Sequence, residues 1–134
     1  MVLEKGSVMR AAAGAMAAMA LAIGGCGAKQ PTEAERDVAR AQDAVRAKLR
    51  DPGSAQFGYI RAGKPGVICG RVNAKNGMGG YAGSQQFVAV VDPVTAKVPV
   101  EDAGTFLQND ENGHMVDGEW VLRDFRTEVW GRYC

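Results

Sequence analysis

The chain has 134 residues and sets 16 Lys and Arg against 15 Asp and Glu, with a single His. A balance this even excludes the basic excess or stripe by which a nucleic-acid module holds phosphate, and no nucleic-acid partner is expected. Eighteen glycines and an aromatic content of 7% point to one small domain with a thin core.

The chain opens with Lys5 and Arg10, followed by an apolar run from Ala11 to Ile23 and then small residues. That is the order of a secretory signal peptide. As a helix the run spans about 20 Å, short of the ~30 Å hydrocarbon core, so a transmembrane anchor is not expected. Ile23-Gly24-Gly25-Cys26 resembles the lipobox of bacterial lipoproteins, with Ile23 and Gly24 where Leu and a small Ala, Ser or Thr are usual. The resemblance implies removal of residues 1–25 and a diacylglyceryl group on the Cys26 thiol, with palmitate-class acyl chains holding the protein to the membrane. It also implies a lipidated tether over 26–31 and a single domain over 32–134. Gly27 stands where an Asp is associated with retention at the inner membrane, so the expected location is the periplasmic face of the outer membrane. Cleavage after Ala28 by the ordinary signal peptidase is the competing reading, and it discards Cys26.

Loss of residues 1–25 takes away Lys5, Arg10 and Glu4 and leaves 14 basic and 14 acidic side chains. Cys69 and Cys134 then remain as an even pair in an oxidising compartment, and a disulfide is expected. It would close a loop of about 65 residues, worth on the order of 4 kcal/mol in the chain-entropy model. Two free thiols, or an intermolecular bridge through Cys134, are the alternatives.

Gly27 to Pro31 reaches only about 17 Å when extended, which keeps the first folded element near the membrane. Thr32 and Glu35 form a T-x-x-E capping box. Ala34, Val38, Ala41, Val45 and Leu49 continue from it as one stripe, predicting a helix from Thr32 to Arg50 that Asp51-Pro52-Gly53 ends. Ala55 to Arg61 reads as a strand with Phe57 and Tyr59 on one face. Val67 to Asn73 is a second strand. Ser84 to Val91 is a third, with Phe87, Ala89 and Val91 facing one way and Val88 and Val90 the other, which predicts a central place in the sheet. Asp92-Pro93 starts a turn, and Lys97 to Val100 reads as an edge strand. Glu101 to Gly118 lacks periodicity and reads as a loop. Val121, Leu122, Phe125 and Val129 recur at helical spacing and predict a helix from Trp120 to Arg132, with a strand over Glu119 to Phe125 as the alternative. Trp120, Phe125 and Trp130 are then its core face, or alternatively an aromatic patch for a partner. The expected fold is α+β: an N-terminal helix, a three- to four-stranded antiparallel meander, a C-terminal helix and one disulfide.

Two segments stand out: Leu49-Arg50-Asp51-Pro52-Gly53-Ser54-Ala55-Gln56-Phe57, and Cys69-Gly70-Arg71-Val72-Asn73-Ala74-Lys75-Asn76 leading into Gly79-Gly80-Tyr81-Ala82-Gly83. Together they resemble a group of short proteobacterial envelope proteins with an L-x-D-P-x-S-A-x-F segment, a C-G-x-V-N-x-K-N segment and a G-G-Y-x-G run. Ser84 departs from that pattern, which has a bulky or aromatic residue there. The resemblance covers Leu49 to Val90 and implies fold and compartment, without an activity. Physically, the glycines permit tight turns, and Asn73 and Asn76 suit hydrogen bonds to local backbone. The loop is then either a strand connection with Tyr81 packed inward, or a binding loop of Asn73, Lys75, Asn76 and Tyr81.

Gly77-x-Gly79-x-x-Ala82 matches a loose dinucleotide fingerprint, but no helix or βαβ unit follows, so no cofactor is expected. Gln108 to Glu119 puts Asp110, Asn112, Gly113 and Glu119 at positions three, five, six and twelve of a calcium-type loop. Gln108 lacks the carboxylate needed at position one, so no metal is expected and Asp110, Asn112 and Glu119 stand only as weak candidates. His114 has no recognisable nucleophile to serve, and catalysis is not expected. The expected function is a non-catalytic accessory or interaction lipoprotein, bound to the membrane by its lipid and to an envelope protein. The alternative is a small-ligand or glycan binder, including an inhibitor of an envelope hydrolase, that uses the loop around Tyr81.

Overall fold

The computed structural model describes Gly25 and residues 27–134. Residues 1–24 and Cys26, where the signal peptide and lipobox are expected, lie outside the described residues. Among the described residues no helix is long and apolar enough to cross a membrane.

Helix α1 spans Glu33–Arg46. The Thr32 backbone N–H donates to Glu35 Oε2 at 2.6 Å and the Glu35 N–H donates to Thr32 Oγ at 3.3 Å, so both halves of the capping box are made. The helix is shorter than the span to Arg50. The N–H groups of Lys48 and Leu49 reach back only three residues, to Val45 and Arg46, tightening the last turn ahead of Pro52. Pro52–Ser54 then forms a one-turn 3-10 helix.

Four strands follow as an antiparallel sheet in the order β1-β2-β3-β4: β1 Gln56–Ala62, β2 Val67–Asn73, β3 Gln85–Val90 and β4 Thr105–Leu107. α1 covers one face, where Ala41 and Val45 pack with Ile68, Val72, Phe87, Ala89 and Leu107. The C-terminal segment covers the other, where Phe125, Val129 and Tyr133 pack on Val67, Cys69, Val88 and Phe106. β3 is sandwiched between them, which is why its two faces are both apolar. Its Phe87 lies across Gly70, its partner on β2: a Cβ at Gly70 would come within 2.8 Å of the ring. That close approach accounts for the glycine after Cys69.

Several expectations are corrected. A bulge between Phe57 and Ile60 shifts the register of β1, so Ile60 joins Phe57 toward α1 while Tyr59 points out at 48% exposure. Lys97–Val100 is not a strand. Asp92 caps a short helix α2, Pro93–Ala96, and Lys97 closes it at φ 52. The chain then turns through Val100–Asp102, which carries Asp102 into the interior, and the fourth strand is the three-residue β4 instead.

The segment from Glu101 to Gly118 contains β4 and the first arm of a hairpin, β5 Gly113–Val116 and β6 Glu119–Leu122. The turn is Asp117-Gly118 at φ 49 and 86, both positive, as a two-residue hairpin turn of the primed type requires. The expected helix from Trp120 to Arg132 therefore begins later. Asp124 caps it through the Thr127 N–H at 2.9 Å, a π-helical segment runs Phe125–Trp130, and α3 completes it over Gly131–Tyr133. Phe125 and Val129 are buried as expected, whereas Trp120, Val121 and Leu122 are exposed.

Cys69 and Cys134 are joined in a disulfide, 65 residues apart in sequence. The end of the chain is fastened further where Lys64 N–H donates to the Tyr133 carbonyl at 2.9 Å and Arg61 donates to the Cys134 carbonyl at 3.0 Å.

Candidate functional site

The two segments singled out in the sequence meet in space. The loop 76–80 is closed by an isolated antiparallel bridge between Lys75 and Tyr81. Asn76 shapes it from within: its Oδ1 accepts the N–H groups of Met78 at 3.0 Å and Gly80 at 3.3 Å, and its own N–H donates to the Gly80 carbonyl at 2.8 Å. The 3-10 turn holds the loop from outside. The Ser54 hydroxyl accepts the Lys75 N–H at 2.8 Å, and the Tyr81 hydroxyl donates to the Ser54 carbonyl at 3.3 Å. Arg50 lies against Gly77, where a Cβ would stand 3.0 Å from its guanidinium nitrogen, so the missing side chain makes the arginine's seat.

A cleft of about 250 Å³ lies between the end of α1, this loop and the stretch after β4. Lys48, Arg50, Lys75, Asn76, Gln85 and Asp110 are on its wall. Lys48 is engaged: its ammonium meets the Asp110 carboxylate at 3.2 Å and donates to the Thr105 carbonyl at 2.8 Å. Among the described residues, neither Arg50 nor Lys75 has a carboxylate partner. The Lys75 ammonium stands 5.8 Å from the Tyr81 ring centroid, and that ring is 46% exposed. Tyr81 is thus not packed inward. Asn73, placed with the binding loop from sequence, points elsewhere and does not line the cleft; its Oδ1 is buried and has no partner among the described residues. Lys48 and Arg50 were not foreseen in the site. Basic residues after a helix are ordinary complements of its dipole, and nothing local marks the fold that brings them to the loop.

The weak metal candidates have other tasks. Asp110 pairs with Lys48, the buried Asn112 amide donates to the carbonyls of Leu107 and Asp110, and Glu119 lies on β6 opposite Val116. Among the described residues no group of three His, Cys, Asp or Glu side chains is placed to hold a metal ion.

A second polar cluster joins the hairpin to the core. Asp102, fully buried, accepts from the Tyr133 hydroxyl and from Arg123, with Arg132 at 3.7 Å. Arg123 also donates from Nε to His114 Nδ1 at 2.9 Å. Burial alone would raise the Asp102 carboxyl, but the hydrogen bonds from Tyr133 and Arg123 and the nearby guanidinium charges outweigh it and hold it below the ordinary aspartate range. The Tyr133 phenol is pushed up by burial and by its bond to the same carboxylate.

The third feature is the hairpin itself. Its pairing puts Met115, Trp120 and Leu122 on one face, with exposures of 59%, 54% and 63%. The Trp120 indole crosses over Gly113, where a Cβ would meet the ring at 2.6 Å.

Comparison with known proteins finds no family model, no curated protein and no solved structure that matches this chain.

Proposed function

We propose that the chain is a non-catalytic lipoprotein of the bacterial envelope, anchored through Cys26 and acting as an accessory or interaction module on a protein partner near the membrane. The observation that supports this best is the apolar face of the β5–β6 hairpin. A two-stranded hairpin is marginal by itself in water, and Met115, Trp120 and Leu122 gain from being covered. Aromatic and Met side chains on an exposed face are the anchors that protein interfaces favour. Absence of catalysis is supported by the occupation of the candidate groups: Cys69 and Cys134 bind each other, and His114 serves Arg123. The test is crosslinking in intact envelopes followed by capture of the chain. Wild type is expected to retain a discrete partner that Trp120→Ser and Met115→Ser lose while keeping the same circular dichroism. Equal capture by all three would oppose the reading.

A second reading, a small-ligand binder, is favoured by Lys75 on the wall of the cleft, with the half-exposed Tyr81 ring beside its ammonium.

A further inference from the structure

We infer that the cleft between α1 and the glycine-rich loop is a binding site for a compact organic anion carrying two negative charges on carboxylate or phosphate groups. The inference rests on the second reading above and assigns it a ligand class.

Charge carries the first step. The wall holds three cations and one carboxylate, and Asp110 is already committed to Lys48. Arg50 and Lys75 are therefore left without a counter-charge among the described residues, and both stand on the wall of this one cleft. Lys75 is half-buried. The Tyr81 face, 5.8 Å from the Lys75 ammonium, is a cation–π contact and supplies no counter-charge.

Positioning carries the second. The Arg50 side chain lies against the bare peptide at Gly77, and the main chain of Lys75 is fixed by Ser54. A planar guanidinium engages an oxyanion through two parallel N–H donors, and an ammonium supplies a point charge beside it. Amides at Asn76, Gln85 and Asn109 and apolar surface from Leu49 and Leu107 complete the wall, suiting a body of one sugar ring or a dipeptide. A phosphorylated sugar and a peptide with two carboxylates share this chemistry.

The test is calorimetric titration of the full-length lipid-anchored protein in detergent micelles, at fixed ionic strength, with inorganic phosphate, malonate and neutral N-acetylglucosamine in separate arms. Saturable binding of phosphate or malonate, weakened about tenfold or more by Arg50→Gln and by Lys75→Gln, is expected from the loss of one charge-assisted contact. The stronger of the two anions identifies the source as phosphate or carboxylate. Saturable binding of N-acetylglucosamine alone would overturn the anion inference and keep the ligand-binder reading; no binding in any arm would overturn both. Anion binding that neither substitution weakens would place the ligand elsewhere and likewise overturn the inference. Both variants are checked for wild-type circular dichroism, with Arg50→Lys as the charge-preserving control: it is expected to bind more tightly than Arg50→Gln.

Discussion

The Ser54 hydroxyl accepts the backbone N–H of Lys75 at 2.8 Å while Tyr81 donates to the Ser54 carbonyl, so one short turn holds both sides of the glycine-rich loop. Ser54→Ala removes the acceptor of a half-buried N–H, and the expected loss of stability is about 1–2 kcal/mol, read from urea unfolding. The same variant is expected to loosen the loop, with faster amide hydrogen exchange at Lys75 and Asn76 and unchanged exchange at Val88 in β3. Unchanged exchange at Lys75 would mean that Ser54 does not brace the loop.

Gly63 sits under the disulfide, where a Cβ would meet the Tyr133 carbonyl oxygen at 2.3 Å and the Cys69 sulfur at 2.7 Å. Gly63→Ala is expected to destabilise the fold by about 1–3 kcal/mol, because backbone and a crosslinked sulfur have little room to yield. Reduction of the disulfide is expected to cost on the order of 4 kcal/mol for a closed loop of 65 residues. After reduction the penalty of Gly63→Ala should shrink, since Tyr133 and Cys69 are then free to separate. A penalty equal in both redox states would contradict this coupling.

The Asp102–Tyr133 pair sets a pH profile. Asp102 has its folded pKa depressed, so its stabilisation is present above the unfolded aspartate value of about 3.9 and is lost as pH falls through the folded value. Exposed Asp92 and Asp124, lowered by their capping bonds to Thr95 and Thr127, and Glu35, lowered by Thr32, act in the same direction. Tyr133 has its folded pKa raised, so its stabilisation is present below about pH 10 and is lost as pH rises through the folded value. Stability from chemical denaturation is expected to be flat from about pH 5 to 9 and to fall on both sides. Tyr133→Phe leaves the buried carboxylate one donor short, costs about 1–3 kcal/mol at neutral pH and flattens the alkaline limb. Superimposable alkaline limbs for the two proteins would argue against the pair.

The residues differ in how much of this they disclosed. Alternation along Phe87 to Val91 is a direct record of a strand covered on both faces, and Thr32 with Glu35 records the start of α1. Cys69 and Cys134 could be paired once Cys26 was set aside by the lipobox resemblance. β4 had no legible period, because three residues are too few and its strand character comes from pairing with Phe87, Val88 and Ala89. The helical reading of Trp120 to Leu122 fails because Val121 and Leu122 on β6 fall by chance in helical register with Phe125 and Val129, and the alternative strand over Glu119 to Phe125 holds for Glu119–Leu122. Asp117-Gly118 was the overlooked signal, an Asp-Gly pair between two apolar arms. At the site, Lys75, Asn76 and Tyr81 were readable from the loop. Arg50 was not, since its role depends on the tertiary contact that seats it on Gly77.

The proposal of an exported, lipid-anchored module is tested most directly by intact mass of the chain recovered from the membrane fraction, with and without reductant. The expected species starts at Cys26, carries the added mass of a diacylglyceryl group and further acyl chain, and gains two hydrogens when Cys69 and Cys134 are reduced. A soluble chain that retains residues 1–25 and shows no mass change on reduction would contradict it.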